Sequence, residues 1–259
     1  MNLRKFRRDK SGQVIVITGL LVALLLLSTA IFVMETEKDV PSGNNEESNA
    51  FTSYEQSTRS TLISALAEVT DGGGGESTLI SDLNMLSSVI SSDSYQSIVS
   101  MNYSILNVAP YTDGVWVSWG TNGQGISSDY VSFAFNSMDT STSSAAAYAE
   151  NVSSQIAING RYSLISSNNN QVNLQVNVLN EGKPALAQNF TFSYADGTSF
   201  PLSWMEAGSP SLTDYGNGTY AVAFTAATIQ PNDPIVASVI CQDQRGITVG
   251  ANVTCTNGS

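Results

Sequence analysis

From Val14 to Met34 the chain runs for 21 residues without a charge, "VIVITGLLVALLLLSTAIFVM". As a helix rising about 1.5 Å per residue, such a run reaches roughly 31 Å, which matches a hydrocarbon core of about 30 Å. Each central Leu, Ile, Val or Phe favours insertion by about 0.3–0.6 kcal/mol, and no charged side chain opposes it. A helix inside a soluble core is rarely apolar on every face over such a length. The run predicts a transmembrane helix over 14–34, and it commits everything after it to one side of a membrane.

The flanks predict which side. Arg4, Lys5, Arg7, Arg8 and Lys10 precede the run with only Asp9 among them, whereas Glu35, Glu37 and Asp39 follow with Lys38 alone. Positive-inside logic leaves a basic tail, 1–13, in the cytoplasm and exports the residues after about 35. The tail can also lie against anionic lipid head groups, so membrane lipid is an expected partner. Beyond residue 13 the chain holds five basic and 21 acidic groups, a net −16 within the overall −12. A body so charged repels phosphate backbones and argues against nucleic-acid binding.

A cleaved secretory signal fits less well. The apolar stretch exceeds the usual h-region of about 7–15 residues, and Ile31, Phe32, Val33 and Met34 continue it past the small-residue site Ser28-Thr29-Ala30. The string Lys10-Ser11-Gly12-Gln13-Val14 resembles the class III signal of archaeal type IV pilin-like proteins, which are cut ahead of the apolar helix. The resemblance implies cleavage after Gly12, with Gln13 as the new N-terminus. The span lacks the early glutamate of many bacterial pilins, and Asp39-Val40-Pro41-Ser42-Gly43 breaks the helix that many pilins prolong. Gly19 and Ala23 form a small-xxx-small pair through which two such helices could meet, making self-association a second expectation.

Residues 35–50 read as a polar linker. Phe51, Tyr54, Thr58, Leu62, Leu66 and Val69 then recur at steps of three and four, the stripe of an amphipathic helix. Asp71 and the four glycines after it end that helix. They spell a flexible turn rather than a calcium loop, whose oxygens fall at alternate positions, or a phosphate loop, which needs Lys and a hydroxyl. Ser77 and Thr78 offer caps for a second helix striped by Leu79, Ile80, Leu83, Leu86, Val89 and Ile90. Tyr95, Ile98, Val99, Met101 and Ile105 suggest a further helical stretch, so 51–108 is read as a small helical hairpin above the membrane.

From Tyr111 the period changes to two. Val115, Val117 and Trp119 share one strand face, Val131, Phe133 and Phe135 another, and residues 137–150 read as a connector, so 109–150 forms a β-hairpin region. Over 151–259 the alternation is clearest. Val172, Leu174, Val176 and Val178 interleave with Asn173, Gln175 and Asn177. Further inward sets follow at Phe190, Phe192 and Tyr194, at Phe200, Leu202 and Trp204, and at Tyr220, Val222 and Phe224. Ile235 to Cys241 then matches Ile247 to Cys255 in parity. Short strands broken by turns every 8–12 residues or so predict a β-sandwich.

The segments "VNVLNEGKPALAQNFTFSY", "DYGNGTYAVAF" and "ASVICQDQRGITVGANVT" resemble bacterial and archaeal immunoglobulin-like surface domains. The resemblance implies that Tyr220 sits near an inter-sheet corner. The expected fold class is thus a single transmembrane helix plus an α+β ectodomain, a short helical hairpin followed by a mainly β, immunoglobulin-like sandwich.

The two cysteines, Cys241 and Cys255, are too few for a disulfide scaffold. If Asp243 and Gly246 close the turn between the last strands, Cys241 lies opposite Thr248, far from Cys255, which favours two buried thiols. A bridge through an irregular last strand stays open in an oxidising exterior. The chain has no histidine, so it lacks the commonest general base and transition-metal ligand.

No cofactor, metal or catalytic residue is expected, and Trp116, Trp119 and Trp204 suit core packing. A carboxylate-dependent extracellular hydrolase has no paired carboxylates to rest on. Asn102, Asn151, Asn189, Asn217, Asn252 and Asn257 each open an Asn-X-Ser/Thr triplet and are the candidate glycosylation sites. A chain this rich in Asn, Ser and Thr acquires such triplets by chance. The expected function is a noncatalytic, membrane-anchored surface protein for adhesion or envelope contact, with other surface or envelope proteins as partners. A pilin-like subunit processed after Gly12 is the alternative.

Overall fold

The computed structural model of the chain describes residues 45–71, 77–92, 98–138, 143–198, 201–228 and 233–258. The basic tail, the processing pair Gly12 and Gln13, the run Val14–Met34, most of the linker, the glycine turn at 72–76, Tyr95 and Phe200 lie outside them. Among the described residues no helix is long and apolar enough to cross a membrane. Tyr54–Ser259 form one compact unit and Met1–Ser53 another.

Helix α1 (Asn45–Asp71) begins inside the segment read as linker. From Tyr54 onward its striped face turns inward. Thr58, Leu62, Ala65 and Leu66 are buried, at the spacing that puts side chains on one helical face. The Thr58 hydroxyl bonds back to the Tyr54 carbonyl at 3.0 Å and meets the Tyr148 hydroxyl at 2.6 Å, so this buried polar group is satisfied. Tyr54 stacks on Phe135, with centroids 5.3 Å apart, and Phe135 stacks in turn on Tyr148.

Helix α2 (Ser77–Ser92) buries Leu79, Leu83 and Ile90. Val89, placed on the same stripe, is instead 54% exposed. The helix is held to the sheet by bonds from Ser87 to the Met101 carbonyl and from Tyr103 to Asn84. Both helices therefore lie against strands.

Two departures from the expected elements follow. The helical stretch expected through Ile105 is strand β1 (Ile98–Ile105), and the 143–150 part of the expected connector is strand β4 (Ser143–Ser166). Both are imposed by β3 (Gln124–Met138), which pairs with β1 from Val131 to Met138 and with the first half of β4 along its whole length. Strand β2 (Val115–Trp119) flanks the other half of β3.

The remaining strands are β5 (Asn169–Asn180), β6 (Lys183–Pro184), β7 (Ala187–Asp196), β8 (Met205–Glu206), β9 (Ser211–Asp214), β10 (Thr219–Ala227), β11 (Ile235–Asp243), β12 (Thr248–Thr254) and β13 (Thr256–Asn257). They complete two sheets. One runs β1-β3-β4-β5-β10-β9, with β2, β6 and β13 attached to β3, β5 and β4; the other runs β12-β11-β7-β8. Every pairing is antiparallel except β13 with β4. The chain is thus mainly β, a sandwich preceded by two helices.

The sandwich core is made by the alternation. On β5, β10 and β11 every second residue is buried, bringing Val172, Leu174, Val176, Tyr220, Val222, Phe224, Ala237 and Val239 together between the sheets. Tyr220 closes one end, accepting a bond from the Ala187 amide at 2.7 Å at the start of β7. The preceding turn needs its glycines. Gly216 and Gly218 have φ of +73° and +76°, and a Cβ on Gly218 would come within 2.8 Å of three backbone atoms.

The register of the last hairpin differs by one residue from expectation. Cys241 faces Val249 rather than Thr248, because Gln244, Arg245 and Gly246 form a three-residue loop with Gly246 at φ +90°. Cys255 donates its amide to Ile235, at the far end of β11 from Cys241. Six residues of strand separate those ends by roughly 20 Å, which rules out a bridge, and both thiols are free and buried.

Candidate functional site

The outer face of the second sheet carries a groove of about 360 Å³. Register explains its floor. Ser238 on β11 sits opposite Ser193 on β7 and Asn252 on β12, so three small polar residues form one row across the sheet, with Ile240 beside them. Outward positions on half-buried strands favour such residues, since their neighbours Phe192, Tyr194, Ala237 and Val239 fill the core.

Two tryptophans flank the row. Trp119, at the end of β2, is 38% exposed, and Trp204, just before β8, is 41% exposed. The expectation that they pack in the core is corrected here. Strand β2 pairs only with β3, and its last residues reach past the core toward β12, while residues 201–204 form no strand.

Trp119 is held firmly. Its indole N–H donates to Ser127 at 3.2 Å, and Ser127 donates to the Thr248 carbonyl at 2.8 Å. Gly250 lies beneath the ring, and a Cβ there would stand 3.4 Å from the indole. The turn after Trp119 also ties to β12, Gly123 donating to Asn252 and Asn252 to Gly120, each at 2.8 Å. The lining residues are all uncharged.

A second cluster joins α1 to the sandwich. Arg245, in the β11–β12 turn, pairs with Asp243 at 2.8 Å and with Glu181 at 2.6 Å; Arg59 of α1 pairs with Glu181 at 3.3 Å and with Glu150. Burial alone would raise the Glu181 carboxyl, but bonds from Arg245 and the Ser153 amide, with the two guanidinium charges, outweigh it and hold its pKa below the ordinary value. Asp129 shows the opposite. It is fully buried, one carboxylate oxygen has no partner, and burial pushes its pKa well up despite a bond from the Val152 amide. Burial likewise raises the Cys241 and Cys255 thiols to about 12. Among the described residues no three acidic or thiol groups gather as a metal-ligand set.

The candidate glycosylation residues are scattered. Asn102, Asn189, Asn217 and Asn257 are exposed, whereas Asn151 and Asn252 are half-buried. The Asn151 amide donates to Tyr111, Ser128 and the Asp129 carbonyl, so a sugar there would break an internal network. Asn252 lines the groove. Comparison with protein-family models finds no match for the chain, and comparison with curated proteins finds no similar sequence.

Proposed function

We propose that the chain is a noncatalytic, membrane-anchored cell-surface protein whose sandwich is immunoglobulin-like and serves adhesion or envelope contact. The strand orders support the fold. β4-β5-β10-β9 packed against β12-β11-β7-β8 corresponds to the A-B-E-D and G-F-C-C′ sheets of that architecture. The observation that carries the function is the groove between Trp119 and Trp204. It is a concave, partly aromatic, uncharged surface of ligand-binding size on a face the core does not need. The uncharged run Val14–Met34 and its basic flank support an anchor with the sandwich outside.

Protease shaving of intact cells tests this. Fragments from beyond residue 35 should be released from whole cells while the apolar segment stays with the membrane; release only after lysis would sink the surface assignment.

A second reading, a pilin-like subunit, draws on α1. From Tyr54 onward that helix lies along a β-sheet, shortly after the apolar segment, as an assembling helix would. N-terminal sequencing separates the two. Met1 retained supports the anchor, and Gln13 first supports the filament route.

A further inference from the structure

We propose that the groove on the outer face of β7, β11 and β12 binds an uncharged pyranose sugar, its ring stacked against Trp119 and Trp204 and its hydroxyls bonded to the Ser193–Ser238–Asn252 row. This deepens the surface-binding reading above and rests on it. Such a ring has two chemically distinct kinds of surface. It presents faces of C–H groups and a rim of hydroxyls, so a complementary site needs flat apolar walls and small polar groups between them. The groove has both. The two indoles are each more than a third exposed. The side chains of Ser193, Ser238 and Asn252 make no hydrogen bond to other described residues, so their donors and acceptors are available to a ligand.

Other occupants fit less well. The lining holds no cation to receive a phosphate or carboxylate, and beyond residue 13 the chain carries a net −16, which disfavours anionic ligands. A peptide cannot add itself as a strand along β12, the edge beside Trp119 and Asn252. The β12 edge is already taken, since Asn252 bonds Gly120 and Gly123, and Thr248 bonds Thr70 and Ser127. A purely apolar ligand would strand the polar row without partners, a cost that falls on every unsatisfied group.

Preorganisation adds to the fit. Trp119 is fixed by its bond to Ser127 and by the bare backbone of Gly250 beneath it, so little side-chain freedom is lost on binding. The row spans β7 to β12, two strand spacings or about 10 Å, and the volume of 360 Å³ suits a short oligosaccharide end better than a long chain.

The test uses the full-length chain in lipid nanodiscs, because glycoside detergents are themselves sugars. Neutral gluco-, manno- and galacto-oligosaccharides are titrated by calorimetry and by tryptophan fluorescence. Saturable binding to at least one is expected. Trp204→Ala should weaken it about five- to tenfold, as loss of a stacking partner does. Trp119→Ala should act similarly. Because Trp119 also bonds Ser127, Trp204→Ala is the decisive variant, and Ser238→Val should weaken binding without moving the unfolding midpoint.

Absence of saturable binding to every neutral sugar overturns the proposal, as does binding indifferent to Trp204→Ala. A glycan found attached to Asn252 in the native protein also overturns it, since the groove would then hold the chain's own modification. Shaving distinguishes the two levels. A protein accessible on intact cells that binds no sugar sinks this inference alone. A sugar-binding protein protected inside intact cells sinks the surface reading alone.

Discussion

Arg245 is one of five basic residues beyond the N-terminal tail, and it stands where α1, the β5–β6 turn and the β11–β12 turn converge. Asp243, its partner, is fully buried and also accepts bonds from the Arg245 and Ile247 amides. Removing the guanidinium would leave that carboxylate charged and uncompensated, so Arg245→Met is expected to destabilise the protein by about 3–5 kcal/mol in urea unfolding. The pH dependence has a definite sign. The Glu181 carboxyl has a folded-state pKa below the ordinary value of about 4.3, so its contribution is present above that pH and is lost as pH falls through the folded value. Glu181→Gln should therefore narrow the gap between stability at pH 7 and at pH 3; an unchanged gap would show that the carboxylate does not matter. The two thiols give an independent check. With pKa values of about 12 they are almost wholly protonated at pH 8, and both are buried. A thiol reagent should label neither in the native protein and both after unfolding. Rapid native labelling of either would contradict the packing described.

At the scale of elements, legibility in the sequence followed the strength of the alternation. β5 could be read residue by residue, because Val and Leu alternate with Asn and Gln, and β10 and β11 keep the same period of two, each strand facing a core on one side only. The 143–150 part of β4 could not. Its Ser and Ala residues prefer no strand, and the conformation comes from pairing with β3, a long-range partner that local pattern does not reveal. β1 was partly legible. Val99 and Met101 are buried while Ser100 and Asn102 are exposed, a period of two concealed by the helical spacing of Tyr95, Ile98, Val99 and Ile105. The groove was the least visible feature, since the row Ser193, Ser238 and Asn252 exists only through the register of three strands. The one glycine of β3, Gly125, carries a prediction at this scale. A Cβ on Gly125 would lie 1.8 Å from the Gly250 carbonyl oxygen, a backbone atom that cannot move without shifting β12. Gly125→Ala should cost about 1–3 kcal/mol or more. It should also free the β12 edge, so size-exclusion chromatography is expected to show concentration-dependent association absent from the parent. A variant equally stable and equally dispersed would mean that the close approach is not a constraint.

At the scale of the molecule, β4 decides how the layers respond to damage. Its first half pairs with β3, beneath α1, and its second half with β5, within the sandwich, and no break separates the two. The Arg59 and Arg245 ion pairs and the Thr248–Thr70 bond join the same parts a second time. Two regions linked by a continuous strand and by partly buried charges cannot open independently without breaking that strand's ladder. Unfolding of Tyr54–Ser259 is therefore expected to be one cooperative event. Leu62 tests this, since it is fully buried in α1, on the helix that covers β3, and has no place in the sandwich core. Leu62→Ala should destabilise by about 2–5 kcal/mol through lost burial and the cavity left behind. In hydrogen exchange read by mass spectrometry on the full-length chain, the slowest amides of 131–138 on β3 and of 235–243 on β11 should lose the same protection free energy, though Leu62 is no part of the sandwich core. Loss confined to 131–138, with β11 unchanged, would mean that the helical layer melts alone and that β4 is a hinge between two independent bodies.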